Sequence, residues 1–297
     1  MGNVNGNSSK EDSEAFRHEL KRKQWGSNQI SRDREVWLKL CAAPSGRNIY
    51  TIHLKKWTDD PDQLESNHIS MDIPRTLPQL RNDDEMSEEE VVKHHSQLAR
   101  VLGALMSTKV SFTAGDSSQG LVRYRGGSSF IASFLLMVGN HDEEFAYALM
   151  VHAVSRFPAM MPGTVDYSTM IQQHMSQIDE MIRTEFPRIH YAFDEMGVQC
   201  SQLYFGTYAC LMFCHRSIPF DFTLWCWDQF MGTNSALTAA VILVSLLGTC
   251  EKLVINTKNY GGISIATLLS VVDKSKFHTK YSNLVRKYIT GVVTAVV

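Results

Sequence analysis

The chain has 297 residues, 44% of them hydrophobic and 20% charged, an ordinary globular composition long enough for one large domain or two small ones. Its formal net charge of −2 excludes a general attraction to nucleic acid or to anionic membrane. Six cysteines, at positions 41, 200, 210, 214, 226 and 250, show no framework spacing and no C-x-x-C pair, which points away from a disulfide scaffold and toward a reducing cytosol.

Met1–Ser9 is polar and asparagine-rich where a secretory signal needs an apolar run, so a disordered start is expected. Gly2 would suit N-myristoylation, but that pattern wants Ser or Thr where Gly6 stands. Lys10–Gln24 is a charged lead-in whose Lys21-Arg22-Lys23 trio reads as a solvated face. A helix is predicted over Arg32–Cys41, with Ser31 as cap and Val36, Trp37 and Leu40 on one face. Ser45–Asn67 is a polar connection with a helix in its middle, and it delivers the chain to Ile69-Ser70-Met71-Asp72-Ile73-Pro74-Arg75-Thr76-Leu77-Pro78. Proline fixes its own φ and biases its predecessor away from helix, so Arg75 is expected on a stiff, non-helical mount. Asp72, three residues earlier, is placed to hold the guanidinium by charge-assisted hydrogen bonds. From the residues alone, the pair is either a mounted functional charge or a surface ion pair worth about 0–1 kcal/mol.

Ser87 with Glu90 forms a capping box, and three acids in the first turn complement the helix dipole. Val91, His95, Leu98, Leu102 and Leu105 then recur at helical spacing through Met106, with His95 read as a hydrogen-bonded core histidine. Thr108–Arg123 is a loop. Its Gly115-Asp116-Ser117 lacks the G-x-S-x-G turn and preceding strand of a nucleophile elbow. A helix from Ser129 ends at the C-cap pair Gly139-Asn140. Asp142 caps the next, lined by Phe145, Leu149, Ala153, Val154 and Phe157 until Pro158 breaks it. Asp166 can cap a methionine-rich segment carrying Met170, Met175, Ile178, Met181 and Ile182, adaptable packing first and a promiscuous groove second.

Pro187 and Gly197 bracket a short helix, and helices follow over Gln199–Arg216, Phe220–Met231, Ala236–Gly248, Ile263–Asp273 and Tyr281–Thr294. Within the uncharged run only Ala236–Gly248 is densely apolar, shorter than the roughly 18 residues a membrane span needs, so it reads as a core helix. Cys210 and Cys214, with His215 beside them, are either buried thiols or one face of a metal site, and no metal is assigned to them. No alternating strand, hairpin dipeptide or βαβ rhythm appears. The fold class is all-α. A tail over 1–24 precedes a helical domain over 25–297, divided near Pro187 into lobes of about 25–187 and 188–297.

Three stretches together carry a resemblance. Ile69, Asp72, Arg75 and Thr76 spell I-x-x-D-x-x-R-T; Tyr124-Arg125-Gly126-Gly127-Ser128-Ser129 runs into an apolar helix; Pro219, Trp227 and Asp228 lie on an aromatic helix start. In that order and spacing they resemble the TBC domain, the Rab GTPase-activating module, from roughly Trp25 to the C-terminus. Trp25, Arg34 and Trp37 loosely fit the family's opening helix. The family's second motif is Y-x-Q-G-M-N. Tyr124 and Gly127 match it, but Gly126 stands at the glutamine and Ser128-Ser129 at Met-Asn.

The resemblance implies a Rab-type small GTPase in its GTP state as partner, with GTP and Mg held by that partner and no cofactor in this chain. No P-loop is present for a nucleotide of its own. Arg75 would act in trans as an arginine finger, worth roughly 10³–10⁵ in rate, with Asp72 orienting it. Gly126 cannot act as the family's water-orienting glutamine, and neither Arg125 nor Gln119 occupies its position. Hence either the partner's own glutamine serves or the domain binds without accelerating hydrolysis. Ile69, Thr76, Tyr124, Gly127, Trp227 and Asp228 are expected at the partner surface or in its support, with the core the stronger reading for Trp227. A vesicle-trafficking role in the cytoplasm, peripheral on endomembranes through the partner, follows from the same resemblance.

Overall fold

The computed structural model describes residues 14–15, 17–18, 30–41, 47–76, 86–110, 120–156, 167–199, 201, 212–215, 217–256 and 264–291. Helix α1 (Ile30–Leu40) turns Trp37 and Leu40 inward, the face its spacing predicts. The polar connection after it holds α2 (Arg47–Asp59) and a second helix, α3 (Gln63–Asp72), which starts where the Asp62 carboxylate accepts the N–H groups of Leu64 and Glu65. Ile69 and Asp72 therefore lie on helix, and Arg75, expected on a non-helical mount, lies in the 3₁₀ turn that follows. Pro74 has no N–H for the α ladder, and the chain tightens into a 3₁₀ turn over Ile73–Arg75.

Helix α4 (Glu88–Met106) begins on the expected capping box, with Ser87 and Glu90 bonded reciprocally. Its buried face keeps Leu98, Leu102 and Leu105 of the expected stripe and departs from it at the histidine. His94, not His95, is fully buried and meets Ser133 Oγ at 2.8 Å, because the tertiary partner α5 (Ser128–Val138) sets the phase. Gly103 of α4 lets α2 approach: a Cβ there would lie 2.3 Å from the Trp57 indole. The Thr108–Arg123 segment, expected to be loop alone, carries a two-residue antiparallel ladder of β1 (Lys109–Val110) with β2 (Gly120–Leu121). Gly115-Asp116-Ser117 lies outside the described residues.

At the end of α5 the left-handed positions are Asn140 and His141, with φ of 53° and 62°. Gly139 keeps φ −73° and is needed for room, since a Cβ would come 2.4 Å from the Phe145 ring. Helix α6 (Glu143–Arg156) follows, its Phe145 N–H bonded to Asp142. Then come α7 (Tyr167–Glu185) and α8 (Pro187–Glu195). Of the helix expected over Gln199–Arg216, positions 200, 202–211 and 216 lie outside the described residues, and Met212 and Phe213 form a left-handed turn. The chain closes with α9 (Phe220–Thr233), α10 (Thr238–Thr249), the unforeseen α11 (Glu251–Asn256), α12 (Ile265–Val271) and α13 (Lys274–Leu284), which continues as a π turn over Val285–Thr290.

Helix α4 packs against α2, α3, α5 and α6, and α10 against α7, α9 and α13. Every residue of α10 from Thr238 to Gly248 is buried, as an apolar-all-round helix requires. Among the described residues no helix is long and apolar enough to cross a membrane. Helix α1 touches both α6 and α9, so one continuous hydrophobic cluster spans the sequence on both sides of Pro187.

Candidate functional site

The candidate site is built where the end of α3 meets the segment leading into α5. Ile69 and Ile73 are buried and anchor the inner side of α3 and its 3₁₀ extension. Thr76, also fully buried, locks the exit: its hydroxyl bonds to the Asp72 carbonyl at 2.9 Å and meets Ser129 Oγ at 2.7 Å. Arg75 sits between these two fixed points. Its side chain is exposed and forms no ion pair with a described residue. The backbone is thus held on both sides while the guanidinium is left to reach outward.

The opposite wall is tied to α3 by two acids. Asp72 Oδ2 accepts the Tyr124 hydroxyl at 2.8 Å, and buried Glu65 accepts the Tyr124 backbone N–H at 2.9 Å. Arg123 reinforces the contact, 3.2 Å from Asp62 and 3.6 Å from Glu65. Burial, with Asp72 beside it, pushes the Tyr124 hydroxyl above its ordinary range, so it stays protonated and keeps donating. Gly127 follows with φ 94°, a left-handed turn that glycine adopts without strain, and starts α5. The N–H of Ser128 bonds to the Arg125 carbonyl and that of Phe130 to the Gly127 carbonyl, so the Gly-Gly-Ser-Ser run acts here as a turn and helix start.

The Asp72 carboxylate, expected beside Arg75, is engaged here by Tyr124, 52 positions away, and forms no ion pair with Arg75. Asp72 instead fixes the wall that faces Arg75's mount. Gly126 is exposed beside it: a Cβ there would have one neighbour within 4 Å, Asp72 Oδ2 at 3.8 Å, which is ordinary contact. Position 126 and the Arg75 turn are thus brought together through Asp72. Glu65 and Ser129, which hold this arrangement, escaped the sequence reading. A lone acid inside a polar helix and one serine in a serine pair carry no local sign of their long-range partners.

Trp227 and Asp228 belong to the interior. Trp227 is fully buried among Trp37, Phe134 and Phe230, with ring centroids 5.7, 6.0 and 6.1 Å away, and its indole N–H points to Cys214 Sγ at 3.2 Å. Asp228 accepts the Trp37 indole N–H at 2.9 Å, tying α9 to α1. Arg34 of α1 bonds to Asp142 and lies over the Phe145 ring, another structural tie, while Trp25 lies outside the described residues. Burial pushes the Cys214 thiol well up, which suits an inert core group; Cys210 lies outside the described residues. Among the described residues no three or more His, Cys, Asp or Glu side chains are grouped to hold a metal.

The Rab-GTPase-TBC domain model matches the chain over residues 29–255, which includes α3, the Arg75 turn and the Tyr124–Gly127 wall. Among solved structures, the chain is similar to the TBC domain of a flagellar RabGAP from Chlamydomonas. The TM-score is 0.64 and the identity 19%, covering 95% of this chain and 86% of that one. No curated protein matches the sequence.

Proposed function

This chain belongs to the Rab-GTPase-TBC domain family, whose partners are Rab GTPases, and from that membership we propose that it accelerates GTP hydrolysis on a GTP-loaded Rab by inserting Arg75 into the partner's nucleotide site. Phosphoryl transfer needs charge stabilisation at the oxygens of the transferred group, and an arginine supplied in trans is worth roughly 10³–10⁵ in rate. The observation that carries the reading is the exposed Arg75 guanidinium on a backbone clamped by Pro74 and by buried Thr76. A cation on a fixed backbone mount, with no ion pair to a described residue, needs no rearrangement of the main chain on insertion. GTP and Mg remain the partner's.

Gly126 has no side chain to orient the attacking water, so that task falls to the partner's own glutamine. Catalysis is accordingly weaker, and selective for partners that supply it. The same glycine favours a second reading, in which the domain binds a GTP-loaded Rab as a scaffold without accelerating hydrolysis. A Rab panel loaded with GTP, first in pull-down and then in single-turnover hydrolysis, decides between them. The activator reading expects acceleration by the wild type and a further gain with Gly126→Gln, whose Cβ would make only an ordinary contact with Asp72. Binding without acceleration, with activity appearing only in Gly126→Gln, establishes the scaffold. Binding to no Rab removes both.

A further inference from the structure

We infer that the outer face of α3, formed by Leu64, His68 and Met71, is a docking surface for the same GTP-loaded Rab, received by a patch of aliphatic or aromatic side chains beside that partner's nucleotide; this rests on the activator reading. Ile69 faces the core, but three neighbours on the helix depart from the usual placement. Leu64 is 62% and Met71 59% exposed, while Glu65, next to Leu64, is buried to 6%. A helix serving only its own core puts the acid out and the leucine in. Here the inward acid is committed to Tyr124 and Arg123, and while Ile69 packs inward, Leu64 and Met71 face away. Departures from local consistency of this kind concentrate at functional sites.

The exposed residues are aligned. Positions 64, 68 and 71 are separated by four and three residues, so they form one stripe on the helix, and a further four residues lead to Arg75. The stripe ends at Met71, at the last turn of the helix, and Arg75 stands on the 3₁₀ turn that follows, so a protein that admits Arg75 to its nucleotide reaches the end of the stripe. That continuity identifies the occupant. Isolated exposed hydrophobic residues are ordinary, and Val92 of α4, 64% exposed, serves as such a control. Apolar side chains at the centre of an interface carry affinity, whereas the finger carries rate.

The test uses the full chain with the Rab it binds best, comparing wild type, Leu64→Ser, Met71→Ser, the double variant, Val92→Ser and Arg75→Ala. Leu64→Ser and Met71→Ser are each expected to raise KM for Rab·GTP about tenfold, and the double variant about 100-fold, with kcat and melting temperature unchanged. Arg75→Ala is expected to lower kcat with little change in affinity. Val92→Ser is expected to behave as wild type. Wild-type KM in the double variant, alongside loss of hydrolysis in Arg75→Ala, overturns this inference and leaves the activator reading standing. A concentration-dependent dimer of the chain that disappears in the double variant, without any change in Rab affinity, likewise overturns it in favour of self-association. If Arg75→Ala and wild type act alike on every Rab, the activator reading itself fails, and this inference with it.

Discussion

Replacing Trp227 with alanine separates support from surface in the third motif. The side chain is fully buried and packed on Trp37, Phe134 and Phe230. Its loss removes the transfer free energy of an indole and leaves a cavity between α1, α5 and α9 that these helices close only in part. Substitutions of this kind cost about 3–5 kcal/mol. That is a large part of a typical stability of about 5–15 kcal/mol, and it lowers the melting temperature by roughly 5–8 °C. Trp227→Phe keeps most of the packing but drops the N–H directed at Cys214, so a smaller cost of about 1 kcal/mol is expected. Urea unfolding followed by far-UV circular dichroism measures both without relying on the fluorescence of the residue being removed. A Trp227→Ala protein that unfolds at the wild-type midpoint yet fails to bind Rab would refute the reasoning and make Trp227 a partner contact.

Two other outcomes follow from the same packing. Gly103→Ala should lower stability by about 1–3 kcal/mol, since the new methyl displaces the Trp57 indole that lies 2.3 Å from its position; equal or higher stability in a urea titration would show that the ring swings aside freely. Burial, with His141 and His95 beside it, lowers the His94 pKa from 6.5 to about 4. Its folded pKa lies below the unfolded one, so the unfolded chain takes up the proton first, and stability falls as pH drops from about 6.5 toward 4. His94→Gln, which can keep the bond to Ser133, should flatten this slope in urea midpoints across that range, and parallel wild-type and variant curves would contradict the assignment. His152, lowered to about 4 by burial and then by Arg156 and Arg17, supplies a slope of the same sign that the variant retains.

What was legible in the sequence was local. The Ser87–Glu90 capping box needs only residues three apart, and it forms as expected. The apolar run of α10, too short for a membrane, identifies a core helix because no exposed face is available to it. The spacing of Ile69, Asp72, Arg75 and Thr76 locates the mount of Arg75 and its buried anchors. What was hidden depends on partners distant in sequence. Asp72 lies within reach of Arg75 along the chain, yet Tyr124 arrives from 52 residues away and takes it. His94 and His95 are equally plausible from helical periodicity, and only packing against Ser133 of α5 decides the phase. The β1–β2 ladder, two residues long, is below the length at which alternation becomes visible. Gly139 caps α5 as expected, but the left-handed residues are Asn140 and His141, and the glycine serves instead to admit the Phe145 ring.

The account stands or falls on the rate of γ-phosphate release from a cognate Rab·GTP, measured in a single turnover with saturating wild-type chain and with Arg75→Ala and Arg75→Lys. Wild type should accelerate release, Arg75→Ala should remove the gain at unchanged binding, and Arg75→Lys should recover little of it, because a lysine ammonium lacks the guanidinium's planar fork. Equal release rates for the three proteins, each bound to the Rab, would contradict it.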